Sequence, residues 1–276
     1  MPVVLALISS VIWGLADFLG GTLSRRRHAI AVLVGAQPFG LLAAAICVSL
    51  FGQWTFSTNV IVNGALAGTF GLIGLVAFYT ALGSGRMGIV SPISSLGVLL
   101  PLGVGLARGD RPTATQLIGV VIAIVGVVLA SGPELSGGAP ARPVFLAITA
   151  AVFFGFGVFF MSLGGQENPG VTVVVMRITQ VALLLIAINF IGDRKKLSLS
   201  DLPLLIAIGV TDAVANVFYT TAAQMGMLSL VSVVGSIFPV FTVILAWWIL
   251  KERLQMVQYL GIAATLCGVT AISVGG

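Results

Sequence analysis

Charged side chains inside apolar runs are the groups in this chain that could do chemistry. Asp212 stands about ten residues into an apolar run, and Asn216 and Tyr219 follow it at helical spacing on one stripe. A lone carboxylate near the middle of a bilayer costs about 3 kcal/mol or more unless it faces a cavity or a partner. Asp212 could therefore carry a proton or bind a cationic group of a substrate. The alternative is a structural bond to Asn216 or to a neighbouring helix.

Two further charged residues lie in other apolar runs. Asp17 is nearer the end of its run, so a role in a cavity competes with simple exposure to interfacial water. Arg177 lies about 10 Å into its run at about 1.5 Å per residue. It could hold a substrate carboxylate, but the sequence favours snorkelling to the headgroups or pairing with Glu167.

Aromatic and hydroxyl side chains complete the candidate site. Tyrosine and tryptophan rings could form the walls of a cavity or simply pack between helices. Serines beside interrupted helices can satisfy the freed carbonyls, and this task does not exclude lining a site. The eleven side chains predicted to line a substrate pathway are Trp13, Asp17, Tyr79, Ser91, Ser95, Arg177, Asp212, Asn216, Tyr219, Ser232 and Ser236.

The sequence offers little that a membrane-embedded enzyme would need. The single histidine, His28, lies in a connection, and neither a His-Glu-x-x-His motif nor a Gly-x-Ser-x-Gly elbow occurs. The two cysteines, Cys47 and Cys267, lie in separate apolar runs. We therefore predict no catalytic residues, no metal site and no cofactor. An enzyme remains the rival class, and a non-transporting scaffold would not need polar stripes near the bilayer midplane.

The elements that position these side chains must be membrane helices. The chain is 58% hydrophobic and 8% charged, with a mean hydropathy of +1.17. A soluble domain could not cover its surface with so few charges. The net charge of +5 is scattered over the connections, which argues against nucleic acid as a partner. The sequence predicts a multi-pass protein of the cell membrane, inner or plasma.

Ten spans account for the length. About 20 apolar residues cross the hydrocarbon core as a helix, so ten spans use roughly 200 residues. The predicted spans cover residues 2–23, 29–51, 59–83, 87–107, 113–132, 143–163, 170–191, 202–224, 228–250 and 254–274. The segment 134–141 is rich in Gly and Pro and is predicted to be a linker between units at 1–133 and 142–276.

The chain contains one block twice. Matched residues recur at an offset of 140, then 141, then 142, which is expected of a duplication with slightly altered connections. The repeated positions are Phe78-Tyr79-Thr80 with Phe218-Tyr219-Thr220, Ser91 and Ser95 with Ser232 and Ser236, and Gly119 and Gly126 with Gly261 and Gly268.

Five spans in each half have a topological consequence. An odd number of crossings makes the second half enter the membrane upside down relative to the first, so we predict an inverted repeat. Segments interrupted by Gly or Pro at corresponding positions are the usual place of a transport site. Spans 4 and 9 are such a pair, although Pro101 and Pro239 do not occupy corresponding positions.

Several motifs together resemble a known family. They are Trp13-Gly14, Pro-Val-Phe-Thr at 239–242, and Lys-Glu-Arg-Leu at 251–254 followed by Gln258, Gly261 and Gly268. Over essentially the whole chain, the sequence resembles the EamA family of the drug/metabolite transporter superfamily. The resemblance implies a ten-helix secondary transporter with a central cavity, most often moving small organic metabolites outward. A proton-coupled multidrug exporter and a lipid flippase are the alternatives.

The implied partners are a small-molecule substrate and the lipid bilayer, with the chain acting as a monomer or a weak homodimer. The two predictions of orientation differ. Ten basic residues lie in odd-numbered connections and two, Arg108 and Arg111, in even-numbered ones. The positive-inside rule then places both termini outside, whereas the resemblance implies cytoplasmic termini.

Overall fold

The secondary structure is helical throughout the part of the chain that can be described. A computed structural model describes residues 1–85, 87–131, 141–190, 197–251 and 255–275. Its helices are α1 (Pro2–Ser24), α2 (Ala29–Phe51), α3 (Thr58–Ser84), α4 (Met87–Ser95), α5 (Leu99–Ala107), α6 (Ala114–Ser131), α7 (Ala141–Gly165), α8 (Pro169–Ala187), α9 (Leu202–Met225), α10 (Leu228–Gly235), α11 (Phe238–Leu250) and α12 (Met256–Val274). Residues 134–140 of the predicted linker and 252–254 of the Lys-Glu-Arg-Leu motif lie outside the described residues.

Most of these helices are membrane spans. Eight stretches within the described ranges are long and apolar enough to cross a bilayer, and two of them each contain a pair of short helices. Two shorter apolar stretches, Ala114–Leu129 and Met256–Ile272, belong to α6 and α12. The chain is therefore a multi-pass membrane protein. The eight are Pro2–Ser24, Ala29–Phe51, Thr58–Ser84, Val90–Ala107, Ala141–Gly165, Pro169–Ala187, Leu199–Met225 and Leu228–Leu250.

Polar side chains in the connections fix where helices begin. The Asn168 side chain accepts a hydrogen bond from the backbone N–H of Val171 at 3.0 Å, which starts α8. At α10 the acceptor comes from the other half of the chain, because Asp110 Oδ2 accepts from the backbone N–H of Ser229 at 2.9 Å. A carboxylate at a helix N-terminus also complements the helix dipole. The connection after α5 thus holds the start of α10.

The predicted spans 4 and 9 are each broken into two helices. A three-residue 3₁₀ turn, Leu96–Val98, separates α4 from α5, and α10 ends at Gly235 before α11 begins at Phe238. At the repeat offset of 141, Leu96 corresponds to Ile237. The two breaks therefore coincide even though the prolines of the two spans do not.

The two halves pack on each other reciprocally. α1 packs on α9 as α7 packs on α3, and α2 packs on α9 as α8 packs on α3. A Cβ atom at Gly14 would lie 2.8 Å from the carbonyl oxygen of Phe238, and one at Gly155 would lie 2.7 Å from that of Gly97. The offset of 141 relates Gly14 to Gly155 and Gly97 to Phe238. Each half therefore approaches the broken span of the other in the same way.

The glycines of α6 and α12 show the same reciprocal contacts. A Cβ atom at Gly119 would lie 2.7 Å from the carbonyl oxygen of Gly268, and one at Gly126 would lie 2.9 Å from that of Gly261. The offset of 142 relates Gly119 to Gly261 and Gly126 to Gly268. Small residues allow the two backbones to pack this closely in a membrane.

Candidate functional site

A cavity lies between the two halves. Its empty space, including the part open to the outside, is about 830 Å³. Lining residues come from α1, α3, α4, α5 and the Leu96–Val98 turn in the first half and from α7, α8, α9, α10 and α11 in the second. Most of the lining is apolar, with charged and polar side chains concentrated on α1, α8, α9 and the broken spans.

A buried ion pair forms the polar centre of the cavity. Arg177 on α8 is 0% exposed, and its Nη1 donates to Asp212 Oδ2 on α9 at 2.8 Å. The same nitrogen donates to Gln180 Oε1 at 3.1 Å and to Gln37 Oε1 on α2. Buried charges are tolerated when they are paired. Through Gln37 as well as Asp212, Arg177 connects α2, α8 and α9, which belong to both halves.

Both carboxylate oxygens of Asp212 are engaged. The Asn216 side-chain amide donates to Asp212 Oδ1 at 3.1 Å and to the Asp212 carbonyl oxygen at 2.6 Å. Residues four apart lie above one another on a helix, so the spacing positions this bond. Arg177 retains two donors, Nε and Nη2, without a hydrogen-bond partner in the described part of the chain. Hydrogen bonds therefore hold both oxygens of Asp212, whereas two donor nitrogens of Arg177 can still donate a hydrogen bond.

Aromatic rings from both halves form one wall. The Trp13 ring on α1 lies 5.4 Å from the Tyr219 ring on α9 and 6.5 Å from the Phe238 ring on α11, measured between centroids. The Tyr219 hydroxyl is hydrogen-bonded to Ser232 Oγ on α10 at 2.8 Å. Such a wall offers apolar surface together with an anchored polar group.

The helix breaks place equivalent serines on the cavity. Ser95 Oγ donates to the carbonyl oxygen of Pro92 at 2.8 Å, and Ser236 Oγ donates to that of Val233 at 2.8 Å. Both serines line the cavity, and both pairs are related by the offset of 141. The hydroxyls satisfy carbonyls in the last turns of α4 and α10, as broken membrane helices require.

Asp17 is the second carboxylate of the cavity. It is 8% exposed, and it makes no hydrogen bond or ion pair with the described residues. Asp212, a group of the same charge, lines the same cavity. Across the described ranges, no group of three His, Cys, Asp or Glu side chains is placed to hold a metal ion. The arrangement suits recognition of small molecules by ionic, polar and apolar contacts.

The sequence model of the EamA-like transporter family matches residues 1–132 and matches again at 141–274. This chain belongs to the EamA-like transporter family. The family is part of the drug/metabolite transporter superfamily, and its members are membrane transporters rather than enzymes. This EamA-like chain therefore carries the family's unit twice.

Two known proteins are similar to this EamA-like transporter. An uncharacterized protein of Methanocaldococcus jannaschii is 28% identical over 136 residues, which are 48% of this chain and 96% of that protein. A solved crystal structure has the same fold with a TM-score of 0.75 and 16% identity, covering 96% of this chain and 98% of its own. The archaeal relative is thus about half as long as this chain.

The cavity of this EamA-like transporter brings together nine of the eleven predicted pathway residues. Their role in a substrate pathway stays a prediction, because placement alone does not test it. Asp17 faces the cavity rather than interfacial water. The nine are Trp13, Asp17, Ser95, Arg177, Asp212, Asn216, Tyr219, Ser232 and Ser236.

Tyr79 and Ser91 do not line the cavity. The Tyr79 ring packs against Gly20 of α1 and is 1% exposed, so it fills the contact between α1 and α3. Ser91 is completely buried inside α4, four residues before the helix ends. Ser95, one turn further on, lies at the break. Their predicted role in a substrate pathway stays a prediction.

The expected surroundings of Arg177, snorkelling to the headgroups or pairing with Glu167, were wrong. It neither snorkels nor pairs with Glu167, which accepts hydrogen bonds from Asn59 at 2.8 Å and from Ser57. Glu167 precedes α8, whereas Arg177 lies more than two turns inside it, beside Asp212. A buried carboxylate on the next helix stabilises the guanidinium without contact with the headgroups.

Other residues of the site had weaker sequence signals. Gln37 and Gln180 complete the coordination of Arg177, and both are amide side chains inside apolar runs, which marks them as candidates. Phe238 and Ser94 also line the cavity. Neither differs from the many other phenylalanines and serines of the chain, so only the fold identifies them.

Proposed function

We propose that this protein is a secondary transporter that exports small organic metabolites by alternating access through the cavity between its halves. One observation carries the proposal, namely that a buried Arg177–Asp212 pair lies in a cavity lined by both broken spans. Ionisable residues inside a membrane protein are expensive and are kept where a substrate or ion passes. Broken helices at corresponding positions in two repeats are the usual place of such a site.

The proposed mechanism requires two inverted halves of five spans. Counting α4 with α5 and α10 with α11 as single spans, and α6 and α12 as spans, gives five crossings in each half. The reciprocal glycine contacts support a two-fold relation between the halves. The half-length archaeal relative is consistent with duplication of one unit. Rocking of one half against the other would open the cavity to each side in turn.

The cavity suits molecules that combine an apolar body with polar or charged groups. The rings of Trp13, Tyr219 and Phe238 offer a stacking surface, and the Arg177–Asp212 pair offers charge. Both halves that enclose the cavity belong to one chain. We therefore expect the protein to act as a monomer or a weak homodimer in the plasma or inner membrane. A multidrug exporter and a lipid flippase would use the same fold, and their substrates belong in the test.

Counterflow in proteoliposomes tests the proposal. Proteoliposomes that contain wild-type protein are loaded with one unlabelled compound at a time, and uptake of the same compound in labelled form is measured. The panel consists of amino acids, sugars, nucleosides, cationic dyes and a fluorescent phospholipid. We expect at least one class of small metabolite to exchange above the level of empty liposomes. Asp212→Asn should reduce this exchange at least about tenfold, the effect of losing about 1.4 kcal/mol of interaction.

Asp201→Asn is the matched control. Asp201 precedes α9 and pairs with Arg27 at 2.9 Å, away from the cavity. This variant should retain wild-type exchange. Equal background flux in wild type and in Asp212→Asn over the whole panel would contradict the proposed transport function. Exchange of only the dye or only the phospholipid would favour the multidrug exporter or the flippase.

A further inference from the structure

The charges of the cavity do not balance. Among the described residues, its lining contains two carboxylates, Asp17 and Asp212, and one guanidinium, Arg177. With all three ionised, the cavity carries one uncompensated negative charge in a region where unpaired charge is costly. One of the two carboxylates must carry that charge, and its assignment rests on the proposed transport function.

Asp212 is compensated by direct contacts. Its Oδ2 accepts from Arg177 at 2.8 Å and its Oδ1 accepts from Asn216 at 3.1 Å. Protonating Asp212 would therefore leave a fully buried guanidinium without its counterion. Asp212 acts as a positioning residue that holds Arg177.

Asp17 lacks such compensation. It is 92% buried, lines the cavity, and has neither a hydrogen bond nor an ion pair to any described residue. The ionisable groups on the helices packed against α1 are Tyr79 on α3 and Asp212 and Tyr219 on α9, with Cys47 on α2. Of these, Asp212 lines the same cavity and has the same sign of charge, so it offers Asp17 no compensation. The helices α10 and α11 contain no ionisable side chain.

We propose that Asp17 is the proton-binding site that couples transport to a proton gradient. A proton on Asp17 brings the charge of the three groups to zero, and reorienting a neutral cavity through the hydrocarbon is cheaper than reorienting a charged one. In an exporter, the carrier returns with this proton on Asp17. It releases the proton on the side where it takes up substrate, so one proton enters for each export cycle.

A metal cation fits this position less well than a proton. Hard cations take about six or more oxygen ligands. Among the described residues, no group of three His, Cys, Asp or Glu side chains is placed to supply such a set. A proton needs only one carboxylate oxygen.

Infrared difference spectroscopy tests the assignment without a substrate. Protein in liposomes is taken from about pH 9 to about pH 6, an interval in which surface carboxylates stay ionised because their usual pKa values are near 4. We expect the carbonyl band of a protonated carboxylic acid to appear in wild type and in Asp201→Asn. The band should be absent in Asp17→Asn and return in Asp17→Glu. Persistence of the wild-type band in Asp17→Asn overturns the assignment, as does its absence in wild type.

Transport supplies the second measurement. In Asp17→Asn, the acceleration of transport that an imposed pH gradient produces should fall at least about tenfold, whereas Asp201→Asn, away from the cavity, should retain it. The neutral side chain has nearly the same shape and Asp17 makes no bond that it would break, so the variant should fold. Unchanged acceleration in Asp17→Asn overturns the assignment, and so does loss of counterflow, which would make Asp17 a substrate ligand. Absence of counterflow in wild type would instead contradict the proposed function itself.

Discussion

At the scale of single residues, the site is governed by the energetics of buried charge. Arg177 is completely buried, yet its Nη1 contacts Asp212, Gln180 and Gln37. A buried pair gains little over apolar residues of similar size, whereas removing one partner leaves an uncompensated charge. The pair therefore agrees better with the proposed role in recognition than with a role in stability.

Removal of the arginine alone should destabilise the protein. Arg177→Met leaves the Asp212 carboxylate buried without a counterion, and the expected loss in the free energy of unfolding is about 3–5 kcal/mol. Adding Asp212→Asn removes the stranded charge, so the double variant should recover much of the loss. Reversible unfolding in detergent micelles measures both changes. Arg108→Met, at an exposed position, is the control, and equal losses in the single and double variants would contradict this account.

The sequence indicated that Asp212 needs a partner but not which one. Arg177 and Asp212 are 35 residues apart on consecutive helices. Their contact depends on how α8 and α9 are rotated about their axes, and apolar spans carry little pattern that fixes rotation. Asn216 was predictable because residues four apart share a helix face. The sequence thus predicts contacts between residues four apart on one helix, but it does not predict which residues of two different helices meet.

At the scale of elements, close backbone contacts hold the broken spans. The Leu96–Val98 turn lies against α7, where a Cβ atom at Gly155 would be 2.7 Å from the carbonyl oxygen of Gly97. A backbone oxygen cannot rotate away as a flexible side chain can. Glycine at this position therefore sets the distance between the first broken span and the second half.

Gly155→Ala should weaken this contact. Forcing a methyl group against a backbone shifts α7 or the turn, and overpacking of this kind costs about 1–3 kcal/mol. The melting temperature in detergent should fall accordingly. Gly103→Ala is the matched control on α5, because a Cβ atom there would have no neighbour within 4 Å. Similar melting temperatures for both variants would show that the contact is not tight.

The positions of the breaks were only partly predictable. Prolines marked spans 4 and 9 as interrupted, but Pro92 lies inside α4 and Pro101 inside α5, with the turn between them. Proline removes one backbone hydrogen bond and adds a steric clash, which a membrane helix can accommodate through neighbouring groups. The repeat offset locates the break better, since Leu96 and Ile237 correspond.

At the scale of the whole molecule, the duplication explains why one chain can enclose a site. Gln37 and Arg177 correspond at the repeat offset of 140, and they are hydrogen-bonded to each other. A residue touches its own counterpart only where it lies near an axis that relates the two halves. Under the proposed two-fold relation between the halves, the polar centre of the cavity lies near the axis.

The orientation of the chain in the membrane depends on both the number of spans and the distribution of basic residues. Single cysteines are introduced at Arg26 and Arg108, both exposed, in a background where Cys47 and Cys267 are replaced by serine. The positive-inside rule places the connection at Arg26 in the cytoplasm and that at Arg108 outside. A membrane-impermeant maleimide applied to intact cells should then label Arg108→Cys, and Arg26→Cys only after permeabilisation. The reverse pattern would place the termini in the cytoplasm. Labelling of both positions from one side would contradict the five-span half, because three spans separate them.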